Sequence, residues 1–136
     1  MIWEKIRVKV DWCEHNYSAA PENEDIACVC TADTFGELKK DFEETLRTHI
    51  EWMREDGDKV PSEFDGEWEL EWNMTTAAIL HYTEKLVPKS AIAKVTGINQ
   101  QQLTHYANGY RKPRLAMRTK IVDGIHAIAK ELSAIS

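Results

Sequence analysis

The stretch that most restricts what this chain can fold into is Ser90 to Tyr110, SAIAKVTGINQQQLTHYANGY. Its spacing predicts two short helices around a tight turn. Ile92 and Ala93 fall in the first helix, and Ala93 is small enough for a second helix to approach. Gly97 follows where the chain must turn, and a positive φ costs glycine little. Ile98, Leu103 and Tyr106 are spaced to face a core, which leaves Gln100, Gln101, Thr104 and His105 outside. Asn99 suits the N-cap of the second helix, and Gly109 suits its stop. A polar outer face after such a turn is what a major-groove reader presents. The plainer reading is an ordinary corner between two helices of an all-α domain. The run Tyr110-Arg111-Lys112-Pro113-Arg114 favours the first, because its cations suit phosphates.

Charge divides the chain at the same level. Residues 1–74 hold 8 Lys/Arg against 20 Asp/Glu, a net of −12; residues 75–136 hold 9 against 3, a net of +6. An acidic half joined to a basic half predicts two modules with different partners, 1–74 and 75–136. The basic half is expected to approach a polyanion, the acidic half to repel nucleic acid and attract a basic protein. Acidic surfaces also serve solubility alone. No apolar run reaches the ~20 residues of a membrane span. Met1-Ile2-Trp3-Glu4-Lys5 lacks the basic start and apolar block of a secretory signal. The expectation is a cytoplasmic protein with reduced cysteines and no membrane contact.

In the first half, Ile6 to Trp12 alternates apolar and polar residues and predicts a half-buried strand. Glu14-His15-Asn16 suits a hairpin turn, Tyr17 to Ala20 a short second strand ending near Pro21, and Ile26 to Thr31 a third strand. Thr34 and Glu37 form a T-x-x-E helix start. Phe35, Leu38, Phe42, Leu46, Ile50 and Met53 then form one apolar stripe, with Gly57 and Pro61 after its end. Glu67 to Asn73 alternates strictly, so Trp68, Leu70 and Trp72 share one face and three glutamates the other. From Thr76 the pattern is helical: Thr76 to Leu86, Lys89 to Val95, Gln100 to Asn108, and Leu115 to Leu132. In the last, Met117, Ile121, Ile125, Ile128 and Leu132 share a face, either as bundle core or as a dimer seam. The fold class is therefore α+β, a βββαβ domain followed by an all-α domain.

These features resemble the HicB family of antitoxins from HicA–HicB toxin–antitoxin pairs. Asn16-Tyr17-Ser18-Ala19 is similar to that family's second-strand segment. Asp33-Thr34-Phe35-Gly36-Glu37-Leu38 is similar to its D-T-x-x-E-A helix start, with Leu38 for the usual Ala. TGINQQQLTHYANGYRKPR resembles the XRE-like helix-turn-helix of one branch. The family's Pro-x-x-Pro-Gly turn before the third strand is missing. The resemblance covers nearly the whole chain. It implies a partial RNase H-like N-terminal domain that blocks a small basic HicA-like ribonuclease toxin. It also implies a C-terminal domain that binds the operator of its own operon and represses it.

The candidate DNA-binding residues are Lys89, Asn99, Gln100, Gln101, Thr104, His105, Tyr110, Arg111, Lys112 and Arg114. Gln bonds adenine in bidentate fashion, Thr reaches a thymine methyl, and Arg and Lys neutralise phosphates. Helix-turn-helix readers act on paired half-sites, so a homodimer or higher oligomer is expected. The candidate toxin-binding residues, chosen from charge and exposure, are Tyr17, Glu22, Glu24 and Asp25.

Enzyme chemistry is not expected. Asp11, near the end of the first strand, is where a metal-holding carboxylate of a nuclease would sit, but the other acids fall on regularly exposed faces. Cys13-x-His15 and Cys28-x-Cys30 offer four zinc ligands, yet structural zinc sites use longer spacers at turns and buried cysteine is the commoner fate. His49-Ile50-Glu51 has the form of a deaminase H-x-E without its second cysteine pair. No metal or cofactor is expected. The alternative to an antitoxin is a transcription regulator whose N-terminal domain senses a ligand.

Overall fold

The structure is a computed structural model that describes residues 3–136. Met1 and Ile2 of the N-terminal segment read above lie outside the described residues. The chain is mixed α+β and divides into two compact units, Met1–Thr75 and Thr76–Ser136.

In the first unit, β1 (Glu4–Cys13) turns through Glu14 and His15 into β2 (Asn16–Pro21), with Cys13 facing Asn16. Glu14 takes a φ of 53° there, in the left-handed region that non-glycine residues visit rarely. β3 (Cys30–Ala32) adds to β2, and β4 (Trp68–Met74) adds to the far side of β1. The order is β3-β2-β1-β4. All neighbours are antiparallel except β1 and β4, which run parallel with Ile6 opposite Leu70.

The third strand is shorter than its apolar pattern predicts. The antiparallel register sets Ala19 against Cys30, which would bring Cys28 opposite Pro21. Proline has no N–H to donate, so the ladder stops. Ile26 and Cys28 remain buried without joining it. The preceding loop is held by its own side chains: Asn23 Oδ1 accepts from Asp25 N–H at 2.9 Å, and Asn23 Nδ2 donates to Glu63 at 2.8 Å.

Helix α1 (Phe35–Glu55) begins at Thr34, whose hydroxyl accepts from Glu37 N–H at 3.2 Å. Leu38, Phe42, Leu46 and Ile50, four apart, are its buried line. They cover the sheet face formed by Ile6, Val8 and Val10. Phe35 and Phe42 meet the Trp72 ring edge-on at 5.9 and 5.7 Å, and a 3-10 turn (Ser62–Phe64) brings Phe64 to Trp68 at 5.4 Å. Of these, the fully buried Ile6, Val8, Val10, Leu38, Phe42 and Leu46 each contribute roughly 1.5–3 kcal/mol. The opposite sheet face is polar. Lys5 meets Glu69 and Arg7 meets Glu71, both at 3.8 Å, so strand β1 balances the glutamate row of β4.

The second unit holds α2 (Thr76–Thr83), α3 (Lys89–Thr96), α4 (Gln100–Ala107) and α5 (Leu115–Ser133). Helix α2 stops three residues before Leu86. The Thr83 hydroxyl donates back to the Ile79 carbonyl at 3.0 Å, and Pro88 disfavours helical backbone at Val87. Leu80, Ile92, Ile98, Leu103, Tyr106, Ala107 and Ile121 form one buried core, with Met117, Ile125 and Ile128 at its margin. Leu132, expected on the same stripe, is 56% exposed.

Candidate nucleic-acid interface

The α3–α4 corner is built by local chemistry. Helix α3 ends at Gly97, whose φ of 76° is left-handed and whose N–H donates to the Ala93 carbonyl at 2.8 Å. A side chain there would be strained whatever the space around it. Thr96 fixes the exit: its hydroxyl donates to the Ile92 carbonyl at 2.6 Å and accepts from Ile98 N–H at 3.2 Å. Asn99 then caps α4, its Oδ1 accepting from Gln101 N–H at 2.8 Å.

The far end of α4 closes with a paired bond pattern. Gly109, at a φ of 77°, donates to the Tyr106 carbonyl at 3.2 Å, and Tyr110 donates to the His105 carbonyl at 3.0 Å. This is a Schellman closure, and it sends the chain directly into the basic run. His81 of α2 reinforces the same end. Its Nε2 lies 2.9 Å from the Ala107 carbonyl, and a carbonyl only accepts, so Nε2 carries the proton.

The candidate residues fall into distinct settings. Gln100 and Gln101 are exposed on the first turn of α4, and Asn99 precedes them. Thr104 is half-buried and its hydroxyl donates to the Gln100 carbonyl at 3.1 Å. His105 is half-buried too, with its ring 6.0 Å from that of the exposed Tyr110. Arg111, Lys112 and Arg114 are exposed in the segment between α4 and α5. Lys89 stands apart: its side chain is only 18% exposed and its Nζ sits 3.4 Å from Glu84. One neighbour was not anticipated. Gln102 was not among the candidates, and its Nε2 donates to the Tyr106 hydroxyl at 2.6 Å. The i,i+4 spacing of the two residues was the available signal.

In the first unit, the toxin-facing set needs one correction. Tyr17 is 6% exposed, its ring against Trp12 at 4.9 Å and Phe35 at 6.4 Å. It is a core residue because alternation along β2 turns the odd-numbered Tyr17, Ala19 and Pro21 inward, Tyr17 against Phe35 of α1. Glu22, Glu24 and Asp25 are exposed on the loop after β2, where Glu22 accepts from Asn73 at 3.4 Å. The Asp11 carboxylate is engaged: Oδ1 accepts from Trp12 N–H and from the Thr75 hydroxyl, both at 2.8 Å. Cys28 is buried, and burial first, then the neighbouring Cys30 thiol, pushes its pKa up to about 11. Cys13, exposed at the other end of β1, has its Sγ 3.4 Å from the Ser18 hydroxyl. Among the described residues no group of three or more His, Cys, Asp or Glu side chains is placed to hold a metal ion, and no helix is long and apolar enough to cross a membrane.

No model of a known protein family matches the chain, and no curated protein matches its sequence.

Proposed function

We propose that this protein is a two-module antitoxin of the HicB kind. Its acidic α+β unit neutralises a small basic mRNA-cleaving toxin, and its basic helical unit is an XRE-like helix-turn-helix that represses the operon. The observation that carries the reading is the division of charge, −12 over residues 1–74 and +6 over residues 75–136, at the place where the fold itself divides. Opposite charge on two units suits two partners of opposite charge.

The α3–α4 corner supports the DNA half of the reading. A capped helix starting at Gln100 presents Gln100 and Gln101 at its exposed N-terminal turn, where a recognition helix reads base edges. Arg111, Lys112 and Arg114 follow on the surface as phosphate contacts. In the acidic unit, the acids are surface groups, which suits electrostatic capture of a basic protein.

The test is co-expression with any small basic reading frame found adjacent to its gene. The expected outcome is that the chain rescues growth from that product and co-purifies with it. A chain that does neither is not its antitoxin.

A further inference from the structure

Among the described residues, the outer edge of β4 is an unpaired strand edge beside a groove. Glu4 N–H donates to the Glu67 carbonyl at 3.2 Å, and Thr75 N–H donates to the Val10 carbonyl at 2.8 Å. Odd-numbered residues along β4 therefore turn their backbone polar groups toward β1. By alternation, Trp68, Leu70 and Trp72 turn theirs to the outside, where β4 ends the sheet. At seven residues it is the longer of the two sheet edges, since β3 has three. A long free edge is a ready template for another strand.

The side chains along this edge specify what kind of strand fits. On the helix-covered side, a groove of about 470 Å³ is lined by Gly36, Lys39, Lys40, Glu43, Leu70 and Trp72, so a strand entering it presents apolar rather than cationic side chains there. A second hollow of about 170 Å³ continues it along the same seam, between Glu51, Arg54 and Trp68. Arg47 lies over the Trp68 ring at 4.2 Å and marks the step from one to the other. Neither hollow is lined by β1 or β2. Leu70 and Trp72 are half-buried and offer apolar surface there. On the opposite side stand Glu69 and Glu71, with side chains 50% and 45% exposed. Strand β1 already demonstrates the matching chemistry, because Lys5 and Arg7 face these two carboxylates at 3.8 Å from the inner side.

We infer that β4 is the docking edge for a partner protein's strand in which apolar residues alternate with Lys or Arg. The apolar residues enter the α1–β4 groove, the cations meet Glu69 and Glu71, and the backbone bonds run through Leu70 and Trp72. A second copy of this chain fits less well, because antiparallel self-pairing centred on Leu70 or on Glu71 sets glutamate against glutamate. The inference rests on the reading that the acidic unit holds a basic protein, and adds where and how.

The test uses the full-length chain and a labelled heptapeptide, Lys-Val-Lys-Val-Lys-Val-Lys, followed by anisotropy and by backbone amide exchange. The peptide binds, and exchange at the Leu70 and Trp72 amides slows by about tenfold or more as they enter a new ladder. The Glu69→Gln/Glu71→Gln double variant, which keeps size and fold, weakens binding by about tenfold. Leu70→Pro, which removes an outward N–H, abolishes the protection at the Trp72 amide. Protection spread over other acidic surfaces, equal binding of the Glu-Val-Glu-Val-Glu-Val-Glu peptide, or protection of Leu70 and Trp72 without any peptide overturns the proposal. The same double variant tested against the adjacent reading frame separates the two readings. Undiminished rescue and co-purification remove the β4 edge and leave the antitoxin standing.

Discussion

A Cβ added to Gly124 of α5 would stand 2.5 Å from Cγ2 of Thr96 on α3. A Cβ does not sit that close to a non-bonded carbon without one of the two being displaced. Thr96 has little freedom to yield, because its hydroxyl is committed to both Ile92 and Ile98 at the turn before α4. Gly124→Ala in a helix interior would ordinarily stabilise by about 1 kcal/mol. Here the expected sign is reversed, a loss of about 1–3 kcal/mol from overpacking. Denaturant unfolding measures it. Adding Thr96→Ser removes the obstructing methyl and restores much of the loss, which a general dislike of alanine at this site would not allow.

The cap at Asn99 links stability to the candidate reading face. Replacing the Oδ1 that holds Gln101 N–H leaves a helix-start donor without its partner. Asn99→Ala is expected to cost about 1 kcal/mol, and Asn99→Asp to keep most of the native stability. Thermal unfolding of the two variants side by side gives the comparison. Equal stability of Asn99→Ala and the parent protein would show that the cap contributes nothing.

Base reading and phosphate contact separate by salt and sequence. Gln101→Ala is expected to weaken operator binding by about 1–3 kcal/mol and to relax preference at one position. Arg111→Ala is expected to weaken binding to every duplex alike and to lower the salt slope by about 1. Gel-shift titrations on operator and scrambled duplexes at several salt concentrations distinguish them. Unchanged operator affinity in both variants removes these residues from the interface.

Cys28 ties stability to alkaline pH. Burial favours its neutral thiol, raising the pKa from 9.0 to about 11. The folded state therefore holds its proton where the unfolded state has released it. The contribution is fully present below pH 9.0 and is lost as pH rises through about 11. Denaturant midpoints for the parent protein are expected to fall across that window more steeply than those of Cys28→Ala. A thiol reagent at neutral pH is expected to modify exposed Cys13 long before Cys28.

Much of the fold is legible along the chain because its signals act over a few residues. Thr34 and Asn99 cap the helices that follow them, and Gly97 and Gly109 accept the left-handed backbone that ends α3 and α4. Leu38, Phe42, Leu46 and Ile50 mark the buried line of α1 by period alone. The charge division is likewise a property of composition. All of these depend on a residue's own chemistry and on neighbours within a turn.

What only the tertiary structure decided involves residues far apart in the chain. Alternation in β1 and β4 says which side chains share a face, but not that the strands run parallel with Ile6 opposite Leu70, or that Lys5 and Arg7 answer Glu69 and Glu71. Alternation along β2 puts Tyr17 and Ala19 on one face, but only the place of α1 made that face the inner one, with Phe35 at 6.4 Å from the Tyr17 ring. The third strand lost Ile26 to Val29 because the register brought Pro21 opposite Cys28. Gly124 reads as a weak point in a helix until α3 arrives against it. The open edge of β4 exists only because the sheet order ends there. Period and propensity act within a segment, whereas register and close approach arise only once segments meet.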